Sequence, residues 1–148
     1  ASIRRIDAAG SVLEILDALA DGVAAQSSRS AVLVARGEHF VSWRLTGFGT
    51  IALEPIRQDE AGRLAHGLPA APPPAGDGLV VPLDLEGRVV ALVYADQGES
   101  LAEPPSAWRE AVELVARHAS ARLAVVTAVR TAQAIGGRAG RERERAAR

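Results

Sequence analysis

The stretch Val80-Val81-Pro82-Leu83-Asp84-Leu85-Glu86-Gly87-Arg88-Val89-Val90-Ala91-Leu92-Val93-Tyr94-Ala95-Asp96 decides how the rest of the chain is read. Val81, Leu83 and Leu85 recur at a spacing of two, which points one face of a strand toward a core. Glu86-Gly87 supplies a turn containing a residue that tolerates positive φ, and Val89 to Ala95 returns as a nearly all-apolar run, as a central strand covered on both sides requires. Pro82 has no N–H to give to a ladder, so its strand belongs at an edge or beside a bulge.

The same design occurs upstream. Ala31-Val32-Leu33-Val34-Ala35 is a continuous apolar run, and Val41, Trp43 and Leu45 alternate with Ser42, Arg44 and Thr46. Gly37-Glu38 between them has glycine at the first central position, as a type II′ turn requires, so a second antiparallel hairpin is expected. Ahead of it, Ser11-Val12-Leu13-Glu14 has capping-box form, and Val12, Ile15, Leu16, Leu19 and Val23 follow at helical spacing. Glu14, Asp17 and Asp21 take its other face, and Ile3 and Ile6 extend the pattern backwards across Gly10.

Residues 47 to 78 are mostly turn-forming, from Gly47-Phe48-Gly49 to Gly67-Leu68-Pro69-Ala70-Ala71-Pro72-Pro73-Pro74. Only a short helix fits there, from Arg57 to His66 with Gly67 as its C-cap, covering one face of the sheet. After Pro104-Pro105, Ser106 is placed to cap a helix that continues to about Ile135 without Gly or Pro, a length of roughly 45 Å. One stripe of this helix holds Trp108, Val112, Val115, Ala119, Leu123 and Val126; another holds Leu114, Ala121, Val125, Val129 and Ala132. Two apolar faces require two partners, one the sheet and the other a second helix or subunit.

Composition narrows the chemistry. The chain has 148 residues, 48% of them hydrophobic and 24% charged, with no Cys, Met, Lys or Asn, and all 17 basic residues are Arg. One globular domain of this size buries roughly 70% of the surface of its unfolded chain. Without Cys there is no thiolate nucleophile, disulfide or Cys-ligated zinc, and without Lys no Walker A loop or Schiff base. The net charge of −1 argues against a nucleic-acid grip by the domain as a whole. No apolar stretch reaches the roughly 20 residues of a membrane span and no signal-peptide pattern opens the chain, so a cytoplasmic fragment of a longer protein, bacterial in its composition, is expected.

The order helix, hairpin, short cover, hairpin, long helix, together with Val81-Pro82-Leu83, Gly87, Leu92-Val93-Tyr94-Ala95-Asp96 and Gly67-Leu68-Pro69, resembles the GAF domain family over about residues 11 to 135. The resemblance implies an α+β fold: an antiparallel sheet with the N- and C-terminal helices packed on one face and a short helical and loop cover on the other. It also implies dimerisation, often parallel, through those helices, and small-molecule binding beneath the cover. This chain departs from the family pattern. Pro69 to Leu79 leaves little room for the usual lid, Ala91 stands where many relatives have Gly, and the absence of Asn, Lys and Cys removes the cyclic-nucleotide signature, bilin attachment and sulfoxide reduction.

The candidate ligand residues are Trp43, Phe48, Arg57, His66 and Tyr94. Ordinary core burial competes for the aromatics and surface exposure for Arg57 and His66. The candidate dimer interface is Ala119, Leu123, Val125, Val126 and Val129. His39, His66 and His118 are too scattered for a metal site, Gly47-Phe48-Gly49 lacks the third glycine of a dinucleotide loop, and no nucleophile elbow occurs, so neither catalysis, metal nor cofactor is expected. The expected organisation is a domain over residues 1–135 and an Arg/Glu-rich tail or linker over 136–148. The expected function is a non-catalytic regulatory, signal-transducing domain that homodimerises, with a possible small-molecule ligand and a possible protein partner or adjoining domain. The alternatives are a purely structural dimerisation module with a closed pocket, and polyanion binding by the Arg tail.

Overall fold

A computed structural model of the chain describes residues 1–99 and 103–148. Both hairpins form. The first joins β1 (Arg29–Arg36) to β2 (His39–Thr46), with Arg36 opposite His39 across Gly37-Glu38. Only Gly37 of that turn has positive φ, +59°, in keeping with the expected turn. Residues 56–57 then form a two-residue strand β3 (Ile56–Arg57), and a 3-10 helix follows over Gln58–His66. The second hairpin joins β4 (Leu79–Leu85) to β5 (Arg88–Asp96). In its turn both Glu86 and Gly87 adopt positive φ, 53° and 79°.

The sheet is antiparallel in the order β3-β2-β1-β5-β4. β4 is therefore an edge strand, where Pro82 forfeits nothing, and the register shifts between Leu83 and Asp84 immediately after it. β5, nearly all apolar, lies between β1 and β4 with Ala91 to Asp96 fully buried.

The helices α1 (Ser2–Ala8), α2 (Val12–Ala24) and α3 (Trp108–Ala146) pack on one face. That face's core joins Ile6, Ile15, Leu19 and Val23 to Val32, Leu83, Val93 and Ala95 of the sheet and to Val112, Ala119 and Leu123 of α3. The stripe Trp108, Val112, Val115, Ala119, Leu123 and Val126 is buried throughout, as its spacing requires. The opposite face is covered by the 3-10 helix and the loop after it. Ala31, Leu33, Phe40, Ile56, Leu64, Leu68, Leu92 and Tyr94 form a second, separate core there.

Four local expectations are corrected. Ile3 and Ile6 belong to a separate helix, because Ala9 is extended at φ −66°, ψ 131° and interrupts the pattern before Gly10. Ser11 caps α2 as expected, but the Glu14 carboxylate accepts from the Gly10 N–H at 2.7 Å, one residue before the cap. Val32 pairs with Arg44 and Leu33 with Ser42, so Trp43 is the extra residue of a bulge. Trp43 and Arg44 consequently both turn toward α2, Trp43 donating to Asp17 at 3.3 Å and Arg44 to Asp17 at 2.9 Å and Asp21 at 2.6 Å, while Leu45 joins the covered face. Finally, Ser106 does not cap α3. The N-cap is Ala107, left-handed at φ 64°, with no side-chain cap, and the first helical bond runs from the Ala111 N–H to the Ala107 carbonyl. The helix then runs past Ile135 through Gly136 and Gly137 to Ala146.

Candidate functional site on the covered face

In the β1–β5 ladder Arg29 stands opposite Asp96 and Ala31 opposite Tyr94. Side chains two residues apart on a strand share a face, so Tyr94 and Asp96 point together under the cover, and Arg29 reaches both. Arg29 Nε donates to Asp96 Oδ1 at 2.7 Å and Nη2 to Oδ2 at 2.8 Å, a bidentate pair. Arg29 Nη1 donates to the Pro72 carbonyl at 2.9 Å, tying the cover loop to the sheet. The Tyr94 hydroxyl donates to Asp96 Oδ2, and the Gly98 N–H donates to Oδ1 at 2.7 Å. Phe48 closes the cluster, with the Arg29 guanidinium 4.9 Å from its ring centre and the Tyr94 ring 6.2 Å away.

Asp96 is 1% exposed, Tyr94 0% and Arg29 8%, so this is a buried ion pair. Burial raises the Asp96 pKa, but the hydrogen bonds from Arg29, Tyr94 and the Gly98 amide outweigh it and hold the carboxyl below its usual range. Burial, reinforced by the bond to Asp96, pushes the Tyr94 phenol well above its usual value. Chemically the cluster is closed. The carboxylate is saturated by donors, the phenol stays protonated, and among the described residues no buried side-chain nitrogen or oxygen lacks a partner. None of these groups is free to act as a general base or nucleophile.

The cover packs tightly on the cluster at Tyr94, and a recess of about 220 Å³ lies at the cover's edge, lined by Pro74, Gly76, Asp77, Gln97, Gly98 and Trp108 among others. Gly78 lies so close to the Tyr94 ring that a Cβ there would stand 2.6 Å from Cε2, and Leu64 and Leu68 fill the interior at 2% and 3% exposure. A surface groove of about 610 Å³ lies at the hairpin-turn end, lined by Ala35, Gly37, Gln58, Leu85, Glu86 and Val89 among others. None of the five sequence-nominated ligand residues borders it.

Those five residues do not converge. Phe48 and Tyr94 meet in the buried cluster. Trp43 lies across the sheet, packed against the helix-face core. Arg57 is exposed and pairs with Asp59 at 3.2 Å, and His66 is exposed at the end of the 3-10 helix. Arg29 and Asp96, which organise the site, were not nominated. The available signal was Asp96 two residues after Tyr94 and Arg29 at the head of the other apolar run; the register that joins them is a long-range property. Among the described residues no group of three or more His, Cys, Asp or Glu is arranged to hold a metal ion. No described helix is long and apolar enough to cross a membrane.

Of the five interface candidates, Ala119, Leu123 and Val126 are buried in the protomer's own core, at 0%, 4% and 5% exposure. Val125 and Val129 are each 50% exposed. Leu114 at 45% and Ile135 at 64% extend the same open side of α3.

No protein-family model matches the chain, and no curated protein matches it in sequence. Solved structures do match in fold. A methyl-accepting chemotaxis protein, residues 122 to 287, aligns at a TM-score of 0.67 and 14% identity over 87% of this chain and 98% of that one. The GAF-B domain of DevS from Mycobacterium smegmatis aligns at 0.59 and 22% identity over 82% and 98%. The GAF domain of an Acinetobacter phosphoenolpyruvate-protein phosphotransferase aligns at 0.58 and 14% identity over 86% and 91%.

Proposed function

From the premise that this chain is a divergent GAF-like domain, we propose that it is a non-catalytic regulatory module that homodimerises through its terminal helices, with the face used elsewhere for ligands closed by its own side chains. The observation that carries the reading is the open side of α3. Leu114, Val125, Val129 and Ile135 are each 45% or more exposed on a helix whose other side is already committed to the core. Large apolar side chains aligned on one helix face lose free energy in water unless a partner covers them, at about 25 cal/mol per Å². The far half of α3 adds to the argument. An isolated helical segment of this length carrying Gly136, Gly137 and Gly140, each worth about 1 kcal/mol against helix, is marginal in water without packing.

The closed-face part of the reading rests on the second core and on the saturated Arg29–Asp96–Tyr94 cluster. The structural neighbours, part of a methyl-accepting chemotaxis protein and the GAF domains of DevS and of a phosphoenolpyruvate-protein phosphotransferase, suit a regulatory module. Native mass spectrometry tests both parts at once. The expected spectrum is a dimer with no added mass. A dimer with a retained small molecule contradicts the closed face, and a clean monomer contradicts dimerisation.

A further inference from the structure

Leu114, Ala121, Val125, Ala128, Ala132 and Ile135 follow one another at spacings of seven, four, three, four and three residues, a coiled-coil seam on the side of α3 away from the sheet. α1 borders this side at one flank, where Arg122 donates to the Ala9 carbonyl at 2.9 Å, and β4 borders it at the other. Between those borders the seam is open at Leu114 and from Ala121 onward, and at the position between them half-exposed His118 faces Asp7 of α1 at 3.8 Å. Its alternation of small and large residues suits close helix approach, so the fitting occupant is a second copy of the same helix.

Charge decides the direction. Residues 1–126 carry 11 Arg against 16 Asp and Glu, whereas residues 127–148 carry six Arg against two Glu. The body is thus net acidic and the projecting half of α3 net basic. In a parallel pair the two basic halves lie side by side; Arg117 flanks Arg122 of the other copy and Arg138 flanks Arg143, every flanking charge pair being repulsive. In an antiparallel pair each basic half leaves its twin and lies along the other copy's body. Glu110 then flanks Arg145, and the tail passes the shoulder where Glu113 and Asp84, together with Arg117, line one groove beside α3. One like-charged pair, Arg117 with Arg138, remains. Three layers are apolar, Val125 over Ala128, Ala121 over Ala132 and Leu114 over Ala139 of the other copy, and in the fourth Ile135 lies over His118 of the other copy.

From this juxtaposition we infer that two copies join antiparallel along α3, the basic half of each helix seated on the acidic body of the other. The inference rests on the dimeric reading proposed above and adds its direction. It places the two sheets at opposite ends of a shared helical rod, with the ends of both helices beside the neighbouring body.

The absence of Cys makes the test direct. A single spin label on Glu144→Cys, an exposed position, reports the distance between equivalent sites in the full chain. Antiparallel packing centred between residues 126 and 127 separates the labels by about 50 Å, whereas parallel packing holds them within about 30 Å. Cross-linking supplies a second readout. Leu114→Cys mixed with Ala139→Cys should form a mixed covalent dimer on oxidation, and Leu114→Cys alone should not. A dimer with a short distance, or with Leu114→Cys coupling to itself, overturns the direction while leaving dimerisation standing. A sample that sediments as monomer overturns both.

Discussion

Asp96 concentrates the energetics of the covered face in one carboxylate. It receives two bonds from Arg29, one from Tyr94 and one from the Gly98 amide, at 1% exposure. Removing one partner of a buried ion pair leaves the other charge uncompensated and costs about 3–5 kcal/mol. Asp96→Asn should therefore lower the unfolding free energy in urea by at least about 3 kcal/mol; a loss of less than about 1 kcal/mol would show the pair to be incidental. The pH dependence has a definite sign. The folded pKa of Asp96 is depressed, so its contribution is present above the unfolded value of about 3.9 and is lost as pH falls through the folded one. Stability should fall on acidification below about pH 4, and the Asn variant should show a shallower acid limb in the same titration. The residue pair itself was only half legible. Tyr94 and Asp96 can be placed on one face from their spacing, but their meeting with Arg29 depends on the register of strands 67 residues apart.

Elements of strong local pattern were read from the sequence, and elements set by tertiary fit were not. Both hairpins, the edge position of Pro82, the cap of α2 and the inner stripe of α3 follow from periodicity and turn chemistry. The bulge at Trp43 was invisible because alternation predicts Trp43 and Leu45 on one face; only the fit of Trp43 and Arg44 to Asp17 and Asp21 favours the extra residue. The two-residue β3 has no periodicity to detect, and Ser106 competed as a cap with a turn ending in left-handed Ala107. The Glu86-Gly87 turn yields a testable consequence. Glu86 holds φ 53°, a conformation that asparagine tolerates better and that type I′ turns prefer at this position. Glu86→Asn should stabilise the fold by about 0.5–1 kcal/mol, read as a higher thermal midpoint; an unchanged or lowered midpoint contradicts that account of the turn. Gly78→Ala should act oppositely, since its Cβ would strike the Tyr94 ring, and the variant should melt at a lower temperature than the parent.

At the scale of the molecule the two faces of the sheet have different fates. One is sealed by the helices and the other by a short cover whose own side chains fill the interior, and among the described residues four of the six exposed large hydrophobics lie on the outer side of α3. The sequence anticipated that α3 needs two partners and set Val126 in one stripe and Val125 in the other, but the interface candidates drew on both stripes, because spacing alone does not say which stripe meets the sheet. The structure divides Val125 from Val126 sharply at 50% and 5% exposure. Val126→Glu buries a charge in the protomer core and should unfold it, whereas Val125→Glu with Val129→Glu should leave the fold intact and act on assembly alone. Thermal unfolding separates the two outcomes: the double variant keeps a cooperative transition and loses helical signal only from the projecting half of α3, and the Val126 variant has no such transition.

Sedimentation equilibrium of the full chain beside the Val125→Glu/Val129→Glu variant addresses the dimeric module most directly. The parent should behave as a species of twice 15.4 kDa and the variant as a folded protomer of 15.4 kDa. A parent that sediments at the protomer mass across the micromolar range, or a variant that remains dimeric, would contradict the assignment of the open face of α3 to a second copy.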